Sequence, residues 1–223
     1  MDYTEGQVLL FDKPFGWTSF QLVNKIRWII RNKKNIKKIK VGHGGTLDPL
    51  ATGLMIVCTG KATKKLNDFQ NYDKEYIAKI ELGKTTPSFD LETPFDGEFP
   101  TEHINKNLIE KVLQNFKGKQ EQIPPIFSAK WVNGKRAYEM AREKKEIELK
   151  PAEICINDIE LLDYNMPFIS VRLNCSKGTY VRSFARDLGV KLNSGAYLAG
   201  LKRTAIGPFL LNNAIDIEQF EED

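Results

Sequence analysis

The sequence predicts an α+β protein in which strands separated by helices enclose one sizeable core. Three observations point there. Short apolar runs, Val8-Leu9-Leu10-Phe11 and Leu54-Met55-Ile56-Val57-Cys58, have the length and composition of strands, the second of a strand buried on both faces. Leu22, Val23, Ile26, Ile29 and Ile30 recur at helical spacing, whereas Lys74 to Leu82 alternates, with Tyr76, Ala78, Ile80 and Leu82 on one side and Lys79 and Glu81 on the other. Finally, 223 residues are long enough for one sizeable domain or two small ones, and 41% hydrophobic content is enough to fill a core.

No apolar run approaches the roughly 20 residues needed to cross a bilayer, and the start Met1-Asp2-Tyr3-Thr4-Glu5-Gly6 lacks the basic and apolar regions of a signal peptide. The expectation is a soluble cytoplasmic protein, and a monomer. Cys58, Cys155 and Cys175 stand far apart in apolar or strand-like contexts, which predicts buried free thiols rather than disulfides. With His43 and His103 as the only histidines, no zinc or iron spacing exists, so neither a metal nor a cofactor is expected.

The stretch from Val41 to Leu54 departs from this regular patterning. It packs four glycines, one proline and one carboxylate, Asp48, into fourteen residues. Glycines this dense permit positive φ and close approach to a ligand, and Pro49 holds Asp48 extended. An irregular loop bearing an acid and feeding into a core strand is a common setting for catalysis. Asp before Pro is equally a plain turn former.

Gly42-His43-Gly44-Gly45-Thr46-Leu47-Asp48-Pro49-Leu50-Ala51-Thr52-Gly53 closely resembles the catalytic motif of the TruB family of tRNA pseudouridine synthases. Members isomerise uridine-55 in the T loop of tRNA to pseudouridine, and the motif's aspartate is their nucleophile. The resemblance therefore implies a pseudouridine synthase fold, with a mixed, mostly antiparallel central sheet, flanking helices and a thumb-like insertion. It also gives Asp48 the nucleophile's role.

Further segments carry the likeness along the chain. Asp12-Lys13-Pro14-Phe15-Gly16-Trp17-Thr18-Ser19 resembles the first family motif, although its Lys and Pro also suit a plain turn, with Thr18 or Ser19 as the cap of the helix that follows. Lys74-Glu75-Tyr76 matches the segment whose tyrosine stacks on the target base. Ser176-Lys177-Gly178-Thr179-Tyr180-Val181-Arg182 matches the motif in which an arginine pairs with the catalytic aspartate and a tyrosine lines the pocket. Gly195 to Thr204 resembles the closing motif, which places Leu201 against the base. By this resemblance the catalytic residues are Asp48, Arg182 and Tyr76, and His43, Tyr76, Tyr180 and Leu201 bind the flipped substrate.

Between these motifs, Lys61 to Phe69 is predicted helical, Gly83 to Pro94 a polar surface loop with Asp90 as a turn stabiliser, and Thr101 a helix cap ahead of Ile104, Leu108, Val112, Leu113 and Phe116. Ala152 to Leu162 and Phe168 to Asn174 are predicted strands, and Phe184 to Leu192 a helix. Gln122-Ile123-Pro124-Pro125 with Ser128-Ala129-Lys130 resembles the RNA-clamping insertion, about residues 120–150, including a charged helical segment from Lys135 to Lys145. There Lys130, Lys135, Arg136 and Arg142 interleave with Trp131 and Tyr138. The expected organisation is one catalytic domain over 1–223, without the PUA-type domain that many members begin near the position of Ile206.

A net charge of +4 is too mild to identify a nucleic-acid binder, but its distribution is informative. Lys33, Lys34, Lys37, Lys38 and Lys40 form a block just before the His43 loop, and no Asp or Glu occurs from 13 to 47. Lys33, Lys34, Lys37 and Lys38 are candidates for phosphate contact, as are Lys130, Lys135 and Arg136 in the insertion. The expected partner is the T stem-loop of tRNA, its target base flipped out of the loop.

Two rivals remain at this level. A non-catalytic RNA-binding module or tRNA folding helper would need no nucleophile and no arginine motif to pair with it. A P-loop enzyme would need G-x-x-x-x-G-K-[ST], yet Met55 stands at the first glycine and Ala62 at the hydroxyl position.

Overall fold

The computed structural model describes residues 2–127, 131–132, 135–136 and 149–222. Its strands are β1 (Val8–Lys13), β2 (Val41–His43), β3 (Ala51–Thr59), β4 (Lys74–Leu82), β5 (Lys84–Thr85), β6 (Gly97–Glu98), β7 (Gly118–Gln122), β8 (Trp131–Val132), β9 (Lys135–Arg136), β10 (Ala152–Asn165), β11 (Phe168–Cys175), β12 (Ala196–Ile206) and β13 (Phe209–Leu210). The helices are α1 (Ser19–Lys33), α2 (Leu66–Asn71), α3 (Lys106–Gln114), α4 (Val181–Lys191) and α5 (Ile217–Glu222). Two compact units result, Met1–Ile77 with Leu201–Asp223, and Ala78–Gly200.

In the first unit β3 is the centre. It pairs antiparallel with β1 along its length, Phe11 opposite Met55, and antiparallel with β2, His43 opposite Val57. Near its start it pairs parallel with β12, Leu201 opposite Ala51. The unbroken apolar run of β3 has a direct cause. Met55 and Val57 enter a cluster with Phe11 and with Leu22, Val23, Ile26, Ile29 and Ile30 of α1, while Leu54, Ile56 and Cys58 enter a second with Phe69 and Ile206. A strand covered on both faces has no side left to be polar.

Helix α1 begins at a full capping box. The Thr18 hydroxyl accepts from the Gln21 N–H, and the Gln21 side chain accepts from the Thr18 N–H. Arg31 and Lys33 in its last turn oppose the negative end of the helix dipole.

In the second unit β10 pairs antiparallel with both β11 and β7. Alternate residues of β11, Ile169, Val171, Leu173 and Cys175, are buried, as a strand with one covered face requires. Helix α3 packs on β10 and on α4, with Phe116 and Phe184 edge to face at 5.0 Å between centroids. Antiparallel pairs predominate in both units, the α+β class expected.

Several local expectations need correction. Asn105, not Thr101, caps α3, because its side chain accepts from the Leu108 N–H, and Ile104 therefore precedes the helix. Residues 61–69 divide into a 3₁₀ turn (Gly60–Lys65) and α2. Helix α4 starts three residues before the expected Phe184. Lys135 and Arg136 form a strand paired with Trp131 and Val132 rather than starting a helix. Thr86, Ser88 and Asp90 are buried, so Gly83 to Pro94 is not wholly a surface loop. Glu81, expected on the outer side of β4, is buried too, held by the Tyr197 hydroxyl and by Lys84 at 3.1 Å. Cys58 and Cys175 are buried free thiols, and Cys155 is half-buried. No helix is long and apolar enough to cross a membrane among the described residues.

The two kinds of support for α1 have different sizes. Ile26→Ala should lower the unfolding free energy by about 2–5 kcal/mol through the cavity it opens. Thr18→Ala should lower it by about 1 kcal/mol through the lost cap. Urea denaturation of each variant measures both, and equal losses would contradict this account of the helix.

Candidate active site

Asp48 lies in the loop between β2 and β3, half-buried, with its carbonyl accepting from the Ala51 N–H at 3.1 Å. Three buried polar side chains hold that loop. The Ser19 hydroxyl donates to the Leu47 carbonyl at 2.9 Å and accepts from the Leu47 N–H at 2.8 Å, which fastens the residue before Asp48 to the start of α1. Lys13, fully buried, donates to the carbonyls of Pro14 at 2.9 Å and Trp17 at 2.6 Å, with Pro49 at 3.5 Å. Arg203, 1% exposed, donates from Nε to Leu54 at 2.7 Å and from its two terminal nitrogens to Thr46 at 3.3 Å and Gly45 at 3.1 Å.

Glycine is required where Arg203 arrives. Gly53 has φ +105°, and a Cβ there would stand 2.3 Å from the Arg203 carbonyl oxygen. The same strand pairing sets Leu201 opposite Ala51, with its carbonyl accepting from the Thr52 hydroxyl at 3.4 Å. His43 closes β2, its Nδ1 accepting from the Gly45 N–H at 3.4 Å. Burial, reinforced by the Arg203 charge, holds the His43 ring below the usual histidine range, so it is neutral at physiological pH. Tyr76 is buried on the inward side of β4.

Burial pushes the Lys13 ammonium down to about 8, against the opposing pull of the Asp48 carboxylate. The sequence had placed Lys13 in the segment that resembles the first family motif or, equally, as a plain turn residue, and had not singled out Arg203. Both are buried cations whose partners are backbone carbonyls, those of Gly45, Thr46 and Leu54 for Arg203 and those of Pro14, Trp17 and Pro49 for Lys13.

In the second unit Arg182 occupies the first turn of α4, 4% exposed. Its guanidinium lies 3.6 Å from the Asp90 carboxylate and donates to the carbonyls of Phe127 at 3.0 Å and Ser88 at 3.4 Å. Asp90 is therefore an ion-pair partner as well as a turn residue, with Oδ1 accepting from the Glu92 N–H at 2.9 Å. Tyr180, half-buried, is fixed by its backbone, which exchanges two hydrogen bonds with the Gln122 side chain at 2.8 and 3.1 Å. This orients α4 at its start.

Lys33, Lys34, Lys37 and Lys38 are exposed at and beyond the end of α1. Lys130, Tyr138 and Arg142 lie outside the described residues, as do the side chains of Trp131, Lys135 and Arg136. No three His, Cys, Asp or Glu side chains gather as metal ligands among the described residues.

Residues 31–181 match the family described as TruB family pseudouridylate synthase (N terminal domain). The chain belongs to this family. It is 58% identical to the tRNA pseudouridine synthase B of Phocaeicola vulgatus over 222 residues, covering all of this chain and 94% of that one. To the protein of the same name from Flavobacterium johnsoniae it is 51% identical, covering 99% and 97%. The solved Cbf5-Nop10-Gar1 complex includes a similar chain at a TM-score of 0.75 and 26% identity, and an H/ACA RNP bound to a substrate RNA containing 2'-deoxyuridine includes one at 0.71 and 26%. This synthase covers 54% and 53% of those two chains. The fold is that of the pseudouridine synthases, and the chain is an enzyme rather than a non-catalytic binding module.

Two outcomes test the loop's supports. Replacing Arg203 by Lys keeps a charge but cannot reach three carbonyls at once, so pseudouridine formation should fall at least about tenfold while helix content by circular dichroism is retained. For Lys13 the sign is set by its depressed value. Between pH 8 and 10.5 the unfolded chain holds a proton that the folded chain has released, so the group's contribution to stability rises with pH across that window. Urea unfolding at pH 7.5 and 9.5 should show the wild type gaining on Lys13→Met; parallel pH dependence would contradict the assignment.

Proposed function

We propose that this synthase isomerises uridine-55 in the T loop of tRNA, with Asp48 as its nucleophile. The observation that carries the reading is the anchored Asp48 loop. Its wording matches the family's catalytic motif, and buried Ser19, Lys13 and Arg203 hold its backbone in a single course. The tRNA substrate is supported by whole-chain relatives named tRNA pseudouridine synthase B.

The reaction cuts the bond from C1′ of the ribose to N1 of uracil and remakes it to C5, while the C5 proton leaves and a proton is taken up at N1. Nothing is oxidised or reduced. Asp48 acts ionised, by attacking C1′, by stabilising an oxocarbenium-like sugar, or by removing a ribose proton. In a sheltered site a carboxylate needs cations to remain charged. Lys13 supplies one, within electrostatic reach of Asp48. Arg182 supplies the second in this reading, since a guanidinium keeps its charge when buried and grips a carboxylate in a fixed geometry.

The target base is flipped from the loop before reaction. His43, neutral and carried by a glycine-rich turn, fills the gap left in the RNA. Tyr76 stacks on the extruded uracil and relays the C5 proton, while Tyr180 and Leu201 enclose the base. The exposed lysines after α1, with Lys130, Lys135 and Arg136 of the insertion, bind backbone phosphates of the tRNA.

The test is pseudouridine formation in an unmodified tRNA transcript, mapped by position with no added cofactor. Wild type should modify one T-loop uridine. Asp48→Asn should fall below about one thousandth of that rate with tRNA affinity kept, and Arg182→Ala should lose turnover while retaining its fold. Pseudouridine at another position, or an active Asp48→Asn, would overturn the reading.

A further inference from the structure

A cavity of about 300 Å³ lies in the first unit at the end of β3 away from Asp48, lined by Lys38, Lys40, Lys61 and Lys64 with Thr4 and Thr63. Its lysines come from two separate segments, the approach to β2 and the 3₁₀ turn after β3. The Gly60 N–H donates to the Lys40 carbonyl at 2.9 Å and joins those segments. A third wall is the chain's beginning: at Gly60, with φ +48°, a Cβ would stand 2.1 Å from the Thr4 carbonyl oxygen. The exchange between Gln7 and Thr59, two hydrogen bonds of 3.0 Å, fixes that wall to the strand.

The cavity's charge is one-sided. Among the described residues Lys61 is bound to Glu5 at 2.8 Å, whereas Lys38, Lys40 and Lys64 carry no ion pair. The Thr63 hydroxyl is committed to the Gly60 carbonyl at 2.8 Å, so the donors offered to a ligand are ammonium groups. Three uncompensated ammoniums around a small concavity with one apolar side chain, Ile39, suit a compact anion with several oxygens. They do not suit an aromatic base or an apolar peptide.

Position narrows the ligand further. From Ala51 to Thr59 the strand spans about 26 Å, and Asp48 lies beyond one end while the cavity lies beyond the other. A phosphate held there belongs to a different part of the substrate from the nucleotide held at Asp48. We propose that this cavity is a second anchor for the tRNA, gripping a backbone phosphodiester outside the T arm. The inference rests on the tRNA reading above and extends the exposed lysine run after α1 into a built site.

The experiment compares an unmodified tRNA transcript with an isolated T-arm hairpin, using wild type and the doubly charge-reversed variant Lys40→Glu with Lys64→Glu. Both positions are exposed, and an unchanged melting temperature verifies the fold. The variant's Kd for the whole tRNA should rise about tenfold or more, and the dependence of log Kd on log salt should flatten by about one to two. Its affinity for the hairpin, and turnover on it, should match wild type. An unchanged Kd and salt slope for the whole tRNA would overturn the proposal, as would an equal loss on the hairpin. Wild type that makes no pseudouridine in either RNA would instead overturn the functional reading, and the binding comparison would still decide whether the cavity holds RNA.

Discussion

The Arg203 guanidinium is the constraint on which the first unit's site depends. A buried cation is costly unless its donors are used, and here they are spent on the carbonyls of Gly45, Thr46 and Leu54, on both limbs of one loop. The loop cannot open at either limb without stranding a charge. Gly53 is the other half of the arrangement, because only a residue without Cβ lets the Arg203 backbone lie against the strand. Lys13 and Ser19 complete the enclosure from the β1 and α1 side.

These supports also set the electrical setting of the loop. A fixed guanidinium and a buried ammonium lie around a segment that carries one carboxylate, and burial, reinforced by the guanidinium's charge, keeps the neighbouring His43 neutral. The same groups that shape the backbone thus favour an anionic Asp48 and an uncharged imidazole. In the second unit the Arg182 guanidinium is held by the Asp90 carboxylate at 3.6 Å and by the carbonyls of Ser88 and Phe127.

What could be seen in the residues alone follows a physical division. Strand β3 was legible because burial on both faces writes itself as an unbroken apolar run, and α1 because one covered face writes itself every three or four residues. The Asp48 loop was visible through its glycines and its likeness to a family motif. The anchoring roles of Lys13 and Arg203 were not, since their partners are backbone carbonyls, which every residue possesses and no pattern marks; Gly45 and Arg203 are 158 positions apart. Asp90 looked like a turn residue because the guanidinium that buries it comes from a helix more than ninety positions later. Thr101 and Asn105 are both acceptable caps by composition, and only the backbone path decides between them. The lysines of the basic cavity divided in the same way: a run along the chain was plain, and its meeting with Lys64 was not.

That long reach from Gly45 to Arg203 orders events in time as well as in space. A chain leaving the ribosome exposes the Asp48 loop early, but the residue that closes it is made only 158 positions after Gly45. Contacts so distant in sequence form late, after the loop-closure entropy has been overcome. The nascent chain therefore carries the Asp48 loop unfastened until β12 has been made, and the loop's fixed course arrives with that strand.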